Sequence, residues 1–179
     1  MNKVADRQFM PVNIAILTVS DSRTIATDAS GNVLAERIAA AGHHLVERKL
    51  VADDIDAIVT ALRAWAAEPG VDVVITTGGT GVTGRDMTPE AVRVVCDKEI
   101  PGFGELFRWL SYARIGTSTV QSRALAVVAN GTYIFALPGS PGACKDAWDD
   151  ILVHQLDVRH LPCNFVELLP RLKEHLGQS

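Results

Sequence analysis

The chain has 179 residues, a size that suits one domain with a core large enough to need no disulfide or metal staple. Its 17 basic and 21 acidic residues give a net charge of −4, which excludes the basic footprint of a nucleic-acid binder, so an anionic ligand has to be met locally. Hydrophobic residues make up 47% of the chain, yet no apolar stretch approaches the ~20 residues needed to span a bilayer and residues 1–8 hold no apolar signal core; a cytoplasmic protein with no membrane contact is expected.

Residues 1–10 are expected to form a loose arm and residues 11–179 a single domain, since no repeat or Pro/Gly linker divides them. Val12 to Val19 is a nearly continuous apolar run, the pattern of a strand covered on both faces of a parallel sheet. Leu34, Ile38 and Ala41 then repeat at helical spacing up to Gly42, a natural C-terminal cap, and Leu45 to Val51 predicts the next strand. Ile55, Ile58, Val59, Leu62, Trp65 and Ala66 form a helical stripe that ends before Pro69-Gly70. Val71 to Ile75 predicts a third strand.

Beyond it, Thr88-Pro89 can open a helix, with Thr88 as N-cap and Pro89 as first helical residue, and Ala91, Val92 and Val95 continue it. Phe103, Leu106, Phe107 and Leu110 predict another helix after Pro101-Gly102. Ala124 to Ala129 and Thr132 to Leu137 flank Asn130-Gly131, the strongest short signal for a two-residue hairpin, so one sheet edge is expected to be antiparallel. Cys144, Ala147, Trp148, Ile151 and Leu152 predict a late helix, and Val166, Leu169, Leu172 and Leu176 a C-terminal one. The order predicts a three-layer α/β/α sandwich, mostly parallel, with ligands at the carboxyl ends of the strands.

The segment Thr76-Thr77-Gly78-Gly79-Thr80-Gly81 offers close backbone N–H groups and hydroxyls without charge, chemistry that suits phosphate as well as an ordinary tight turn. Gly79 to Gly84 matches the letters of G-x-G-x-x-G, but the next helix signal comes only at Thr88 and the strand is the third, so a dinucleotide fingerprint is rejected; no P-loop motif is present. The loop continues into Arg85-Asp86, where a carboxylate beside a polyphosphate makes sense if it holds Mg²⁺ or pairs with Arg85. Ser20-Asp21-Ser22-Arg23, with Asp28 and Ser30, forms an earlier loop in which Ser30 reads better as a helix cap than as a ligand group. Asp53 and Asp54 precede the second helix, and by spacing alone one of them is a cap. Ser122-Arg123 and Leu137-Pro138-Gly139-Ser140-Pro141-Gly142 complete five polar loops at one sheet edge. Cys96, Cys144 and Cys163 are far apart and only His43-His44 cluster, so no zinc site is expected.

In this order Val19-Ser20-Asp21-Ser22-Arg23, Thr76 to Gly81, Arg85-Asp86-Met87-Thr88-Pro89-Glu90, Pro101-Gly102-Phe103-Gly104-Glu105, Ser122-Arg123 and Leu137-Pro138-Gly139 resemble the MoaB/Mog family of molybdenum cofactor biosynthesis. The resemblance covers residues 12–165, and Gln155 through Phe165 is similar to the MoaB branch. It implies the molybdopterin-binding fold and, for active members, adenylylation of molybdopterin by ATP with Mg²⁺, releasing pyrophosphate. It implies that Asp53 and Asp86 are the functionally important acids, which leaves Asp54 as the cap; since charge at the α-phosphate has to be neutralised, Asp86 is then better cast as the holder of a metal carried with the nucleotide and Asp53 as an assistant in positioning. It further implies that Ser20, Asp21, Thr77, Gly78, Gly79, Thr80, Gly81, Glu105, Ser122, Arg123, Pro138, Gly139 and Ser140 face nucleotide or pterin. Homotrimers or homohexamers, with other cofactor-biosynthesis proteins as possible partners, are implied in the same way. The residues leave open a protein that binds molybdopterin without turnover, and a relative that hydrolyses nucleotide without any pterin.

Overall fold

All of β1 (Asn13–Val19) beyond its leading asparagine is buried, as an apolar run covered on both faces must be. The structure is a computed structural model that describes residues 7–174; the expectations placed on Leu176 and on residues 1–6 lie outside it, whereas the described end of the expected loose arm is tied down, Arg7 donating to Val158 O at 3.0 Å and Phe9 packing against His43 and Arg159. From β1 the chain passes through a single 3-10 turn (Ile25–Thr27) into α1 (Ala29–Ala40), β2 (His44–Val51), α2 (Ile55–Ala66), β3 (Val73–Thr77) and α3 (Thr88–Val95). A two-residue β4 (Lys98–Glu99), α4 (Pro101–Ile115), a 3-10 segment (Gly116–Gln121), β5 (Leu125–Ala129) and β6 (Thr132–Leu137) follow. The last long helix opens as α5 (Pro141–Ala147), widens into a π-helical stretch (Trp148–Leu152) and closes as α6 (Val153–Gln155).

The six strands form one sheet in the order β2-β1-β3-β6-β5-β4. β2, β1, β3 and β6 are parallel neighbours, while β5 runs antiparallel to β6 and β4 antiparallel to β5. On one face Ile14, Ile16, Val73, Ile75 and Phe135 pack against α1, α4 and α5; on the other Ala15, Leu17, Val74 and Ile134 pack against α2 and α3. The strand-by-strand alternation thus builds a three-layer α/β/α sandwich, mostly parallel with an antiparallel edge. Since β1 connects outward to β2 but its other neighbour is β3, the loops leaving β1 and β3 diverge and open a crevice at their carboxyl ends.

Local chemistry explains most boundaries. Gly42, at φ 84°, ends α1 in a Schellman arrangement in which its N–H donates to Ala39 O and that of His43 to Ile38 O. Asn130 and Gly131, at φ 47° and 80°, make the predicted two-residue hairpin turn. Three expectations are corrected. The cap of α1 is Asp28 rather than Ser30, because its carboxylate reaches the Gly31 N–H at 3.0 Å. Thr88 is the first residue inside α3 rather than its cap, its hydroxyl donating instead to Gly78 O at 2.9 Å. The C-terminal helix is a 3-10 segment, Val166–Arg171, with Pro170 inside it, where a missing N–H and a ring clash forbid an α-helix.

Asp28 ties this scaffold to the crevice. It is fully buried and accepts from Thr18 Oγ1 at 2.6 Å, Ser30 Oγ at 3.1 Å and Arg48 Nη2 at 3.1 Å, as well as from Gly31. Burial pushes its carboxyl up, but the donors from Thr18, Gly31, Arg48 and Ser30 together outweigh burial and hold it below the ordinary range. A depressed native pKa stabilises the fold at every pH above the unfolded value of about 3.9, and that contribution is lost as pH falls through the native value. Asp28→Ala, which strands Arg48 and two hydroxyls, is expected to cost about 3 kcal/mol in urea unfolding at pH 7 and to flatten the acid limb of stability; an unchanged midpoint would exclude this role.

Candidate functional site

The carboxyl ends of β1, β3 and β6 touch backbone to backbone. Gly78, at φ 105°, donates its N–H to Leu137 O and lies so close to the Val19 carbonyl that a Cβ there would collide with it, while Gly139 stands against Gly78 from the other side. Next to it Gly79, at φ 63°, leaves room for Asp53, whose Oδ2 would be 2.7 Å from any added Cβ. The glycines predicted to bring backbone close to a ligand also let three loops and a carboxylate close on one another.

Around this junction lies an open polar chamber of about 530 Å³, lined by Ser20, Ser22, Arg23, Gly79, Asp86 and Ser140 among others. Ser20 Oγ accepts from the Ser22 and Arg23 N–H groups at 3.3 and 3.2 Å and so shapes its own turn. The Arg23 guanidinium donates to Ser30 Oγ and to Gly139 O, both at 2.9 Å, linking the loop after β1 to the loop after β6. Ser140 caps α5, its Oγ accepting from Ala143 N at 3.2 Å, and remains exposed in the chamber.

Three carboxylates stand at its mouth. Asp53 Oδ1 accepts from Met87 N at 3.0 Å, and the Asp53 N–H donates to Asp21 Oδ1 at 3.0 Å, which couples the loop after β2 to those on both sides. Asp54, not Asp53, caps α2, its Oδ1 accepting from Ala57 N at 2.9 Å. Asp86 Oδ2 accepts from Thr83 N at 2.8 Å, and Arg85 reaches Asp21 at 3.5 Å, so the local Arg85–Asp86 pair left open by the sequence is not formed. Burial, reinforced by the Asp86 and Asp21 charges and opposed by the Met87 amide, pushes the Asp53 carboxyl up. For Asp86 burial acts upward too, but the Thr83 hydroxyl and amide, the Gly81 amide and the Arg123 charge outweigh it and hold the carboxyl low. At neutral pH Asp86 is therefore a firmly ionised hard oxygen donor.

A second chamber, of about 390 Å³, opens on the other side of Pro138-Gly139-Ser140. Phe107, Ile115 and Ala143 give it apolar walls, and Ser111, Ser122 and Asp146 give it polar edges. Arg114 on its rim pairs with Asp146 at 3.4 Å and Asp150 at 2.6 Å. Gly139 and Ser140 line both chambers, which makes them two arms of one cleft. Sequence reasoning missed Ser111, Arg114 and Asp146; each sits on a helix whose signal is its apolar stripe, and nothing local marks the opposite face.

Of the residues singled out from sequence, Ser20, Gly78, Gly79, Asp86, Gly139 and Ser140 line the polar arm, and Thr80, Gly81, Ser122 and Pro138 the apolar one. Asp21 and Asp53 sit at the polar arm's mouth through the bonds just described. Three go elsewhere. Thr77 is buried, its hydroxyl donating to Pro138 O at 3.0 Å and lying against the Cys144 sulfur, a thiol that burial pushes up to about 11. Glu105 is exposed on α4 in a separate depression beside Arg93 and Arg108. Arg123 turns its guanidinium onto protein groups, Gly81 O and Asp86 O at 2.6 Å each and the Glu90 carboxylate.

Residues 15–158 match the profile of the family described as a probable molybdopterin binding domain. The chain belongs to this molybdopterin-binding family. Molybdenum cofactor biosynthesis protein B of Escherichia coli K12 is 51% identical over 158 residues, covering 88% of this chain and 93% of that protein. A crystal structure of molybdenum cofactor biosynthesis protein B superposes with a TM-score of 0.81 at 38% identity, covering 97% of this chain and 100% of its own. The Mog protein of Mycobacterium ulcerans superposes with a TM-score of 0.72 at 35% identity, covering 81% and 97%. Members of both branches named by the motifs thus share the fold, and molybdenum cofactor biosynthesis is the family's province.

The raised Asp53 pKa makes a stability prediction with a definite sign. A carboxyl whose native pKa lies above its unfolded value costs stability at neutral pH, and that cost fades as pH falls through the native value and is gone below the unfolded value of about 3.9. Asp53→Asn keeps an oxygen acceptor for the Met87 amide and removes the charge. Its melting temperature is expected to exceed wild type at pH 7 and to converge with it near pH 3; a lower Tm at pH 7 would show that the charge is compensated.

Proposed function

We propose that this protein adenylylates molybdopterin, transferring AMP from ATP to the terminal phosphate of the pterin. The observation that carries this reading is the two-armed cleft, with backbone amides, hydroxyls and an ionised carboxylate in one arm and apolar walls with polar edges in the other, both meeting at Gly139-Ser140. A phosphate junction between two heterocycles needs that division. A terminal phosphate oxygen attacks the α-phosphorus of ATP, one O–P bond forms, the α–β bridging bond breaks, and pyrophosphate leaves with the electron pair. The attacking phosphate is already largely ionised near neutral pH, its second pKa being about 6, so no strong general base is required. The chain's task is to bring two anions together in line and to neutralise charge at the α-phosphate.

Among the described residues no cluster of three or more His, Cys, Asp or Glu side chains is placed to hold a metal. The donor set fits a Mg²⁺ that arrives on the nucleotide, because that ion keeps phosphate and water ligands and asks the protein for only one or two carboxylates. Asp86 is the residue that would hold it, and the ion supplies charge neutralisation on the phosphates. Asp53, fixed between Met87 and the Asp21 loop, positions the segment that carries Asp86.

One observation favours the alternative, a molybdopterin-binding protein without turnover: Arg23 and Arg123 are both spent on backbone carbonyls. Pyrophosphate release from ATP and Mg²⁺, measured with and without molybdopterin and with mass detection of the adenylylated product, separates the two. Pterin-dependent release is expected, and Asp86→Asn is expected to lower it by about 100-fold or more, given the several kcal/mol a metal clamp supplies. Tight pterin binding without release would establish the alternative; ATP turnover without pterin would make the protein a nucleotide hydrolase.

Assembly into trimers or hexamers, in the cytoplasm and without nucleic acid or membrane, is part of the same proposal. Trp109, Tyr112, Ile115 and Val120, 74%, 58%, 56% and 79% exposed, give α4 and the turn after it an apolar face for another copy to cover. Light scattering on the full chain is expected to give a multiple of three; a monomer would remove the assembly from the proposal.

A further inference from the structure

The loop from Thr80 to Asp86 carries the carboxylate assigned to the metal–nucleotide, yet little of it is anchored by packing. Val82, Thr83, Gly84 and Arg85 are exposed, and nothing lies within 4 Å of where a Cβ on Gly84 would be. Its internal ties are short: Thr83 N to Asp86 Oδ2 at 2.8 Å and Asp86 N to Thr83 O at 3.1 Å. One residue from another part of the chain holds both ends. The Arg123 N–H donates to Thr80 O at 3.0 Å, its Nε to Gly81 O and one terminal nitrogen to Asp86 O at 2.6 Å each, and its other terminal nitrogen meets Glu90 on α3. Arg123 is itself held, because Arg108 on α4 donates to the carbonyls on either side of it, Ser122 O at 3.4 Å and Ala124 O at 2.9 Å. Gly104, without a side chain, lets α4 come close enough to Ala124 O for that contact.

We propose that Arg123 is a positioning residue of the cleft: without reaching the ligand, its fork fixes Gly81 and Asp86 relative to α3 and so sets where the Asp86 carboxylate meets the metal–nucleotide. Fixing the Asp86 carbonyl fixes its α-carbon, and the carboxylate hangs from that atom. A planar fork can serve three acceptors at once, whereas a lysine ammonium at this position can satisfy one region only. Glu90 keeps the fork from swinging into the polar arm, where it would compete with a metal for Asp86. This inference rests on the adenylyl-transfer reading and concerns how the chain presents its metal-facing acid.

The test is Mn²⁺–ATP binding, read by electron paramagnetic resonance of Mn²⁺ on the full chain, for wild type, Arg123→Lys, Asp86→Asn and the double variant. Arg123→Lys is expected to weaken binding about tenfold or more while unfolding remains cooperative, as for other residues that orient a metal ligand. If it acts through Asp86, adding it to Asp86→Asn costs little further, since two changes on one path do not add. Wild-type affinity in Arg123→Lys, or fully multiplicative losses in the double variant, would overturn the positioning role alone. Should Arg123→Lys not fold, Glu90→Gln, which removes the charge that holds the fork against α3 and so loosens its grip on the Gly81 and Asp86 carbonyls, is expected to weaken binding, and unchanged affinity there overturns the inference as well. A wild type that does not bind Mn²⁺–ATP would overturn the adenylyl-transfer reading and this inference with it.

Discussion

The cleft depends on one steric constraint, the contact of backbone with backbone where β1, β3 and β6 end. Gly78 stands between the Val19 carbonyl and Gly139, at a φ of 105°, and a methyl group there would meet the carbonyl oxygen head-on. Because no side chain intervenes, the loops that follow these strands begin only a van der Waals contact apart and must diverge from there. That divergence is the crevice expected at the switch point of a parallel sheet. Here the crevice is sharpened by Gly79, which admits Asp53 from the loop after β2. The scaffold's rigidity therefore reaches the site through main chain, and side chains are left free for chemistry.

What holds the divergent loops in place is a set of arginines used as structural ties. Arg23 joins the loop after β1 to Gly139, and it is held through Ser30 by the buried Asp28 network. Arg123 joins the loop after β3 to the start of β5. Each guanidinium satisfies carbonyls that strand-end loops would otherwise leave without partners. Buried or half-buried ties of this kind are specific in direction, so they fix loop geometry more sharply than apolar packing could on a polar rim.

The sheet and most helices were legible because their signals are local and redundant. β1, β3 and β6 are largely apolar and almost wholly buried, and α2 carries its stripe between an acidic cap and Pro69-Gly70. Lys98–Glu99 was not legible: both residues are polar and exposed, and they are a strand only because Val127 and Val128 of β5 face them in the folded chain. The C-terminal segment misled for a different reason. Val166, Leu169 and Leu172 recur every three residues, a period that a 3-10 helix satisfies as well as an α-helix, and Pro170 decides between them. In the site, residue types announced the glycine turn and the acids, but not the direction of a side chain. Thr77 points into the core and Arg123 away from the cleft, outcomes set by strand parity and by carbonyls far away in sequence.

The distribution of charge bears on why such a cleft would take its nucleotide as a metal complex. The described cations lining the polar arm are already committed, Arg23 to Ser30 and Gly139 and, at the mouth, Arg85 to Asp21. Asp86 is held ionised by the Thr83 hydroxyl, the Thr83 and Gly81 amides and the Arg123 charge, and Asp53 and Asp21 stand beside it. A bare polyphosphate entering this arm meets backbone donors but also like charge at short range, and in a partly desolvated cleft that repulsion is poorly screened. A divalent ion bound to the phosphates reverses the sign of the encounter at Asp86 while leaving the amides available to the oxygens. On the proposed reaction the same carboxylates that would resist the free anion select the metal complex. That selectivity requires Asp86 to stay ionised and in place: the Thr83 and Gly81 donors, helped by the Arg123 charge, meet the first condition, and the Arg123 fork meets the second.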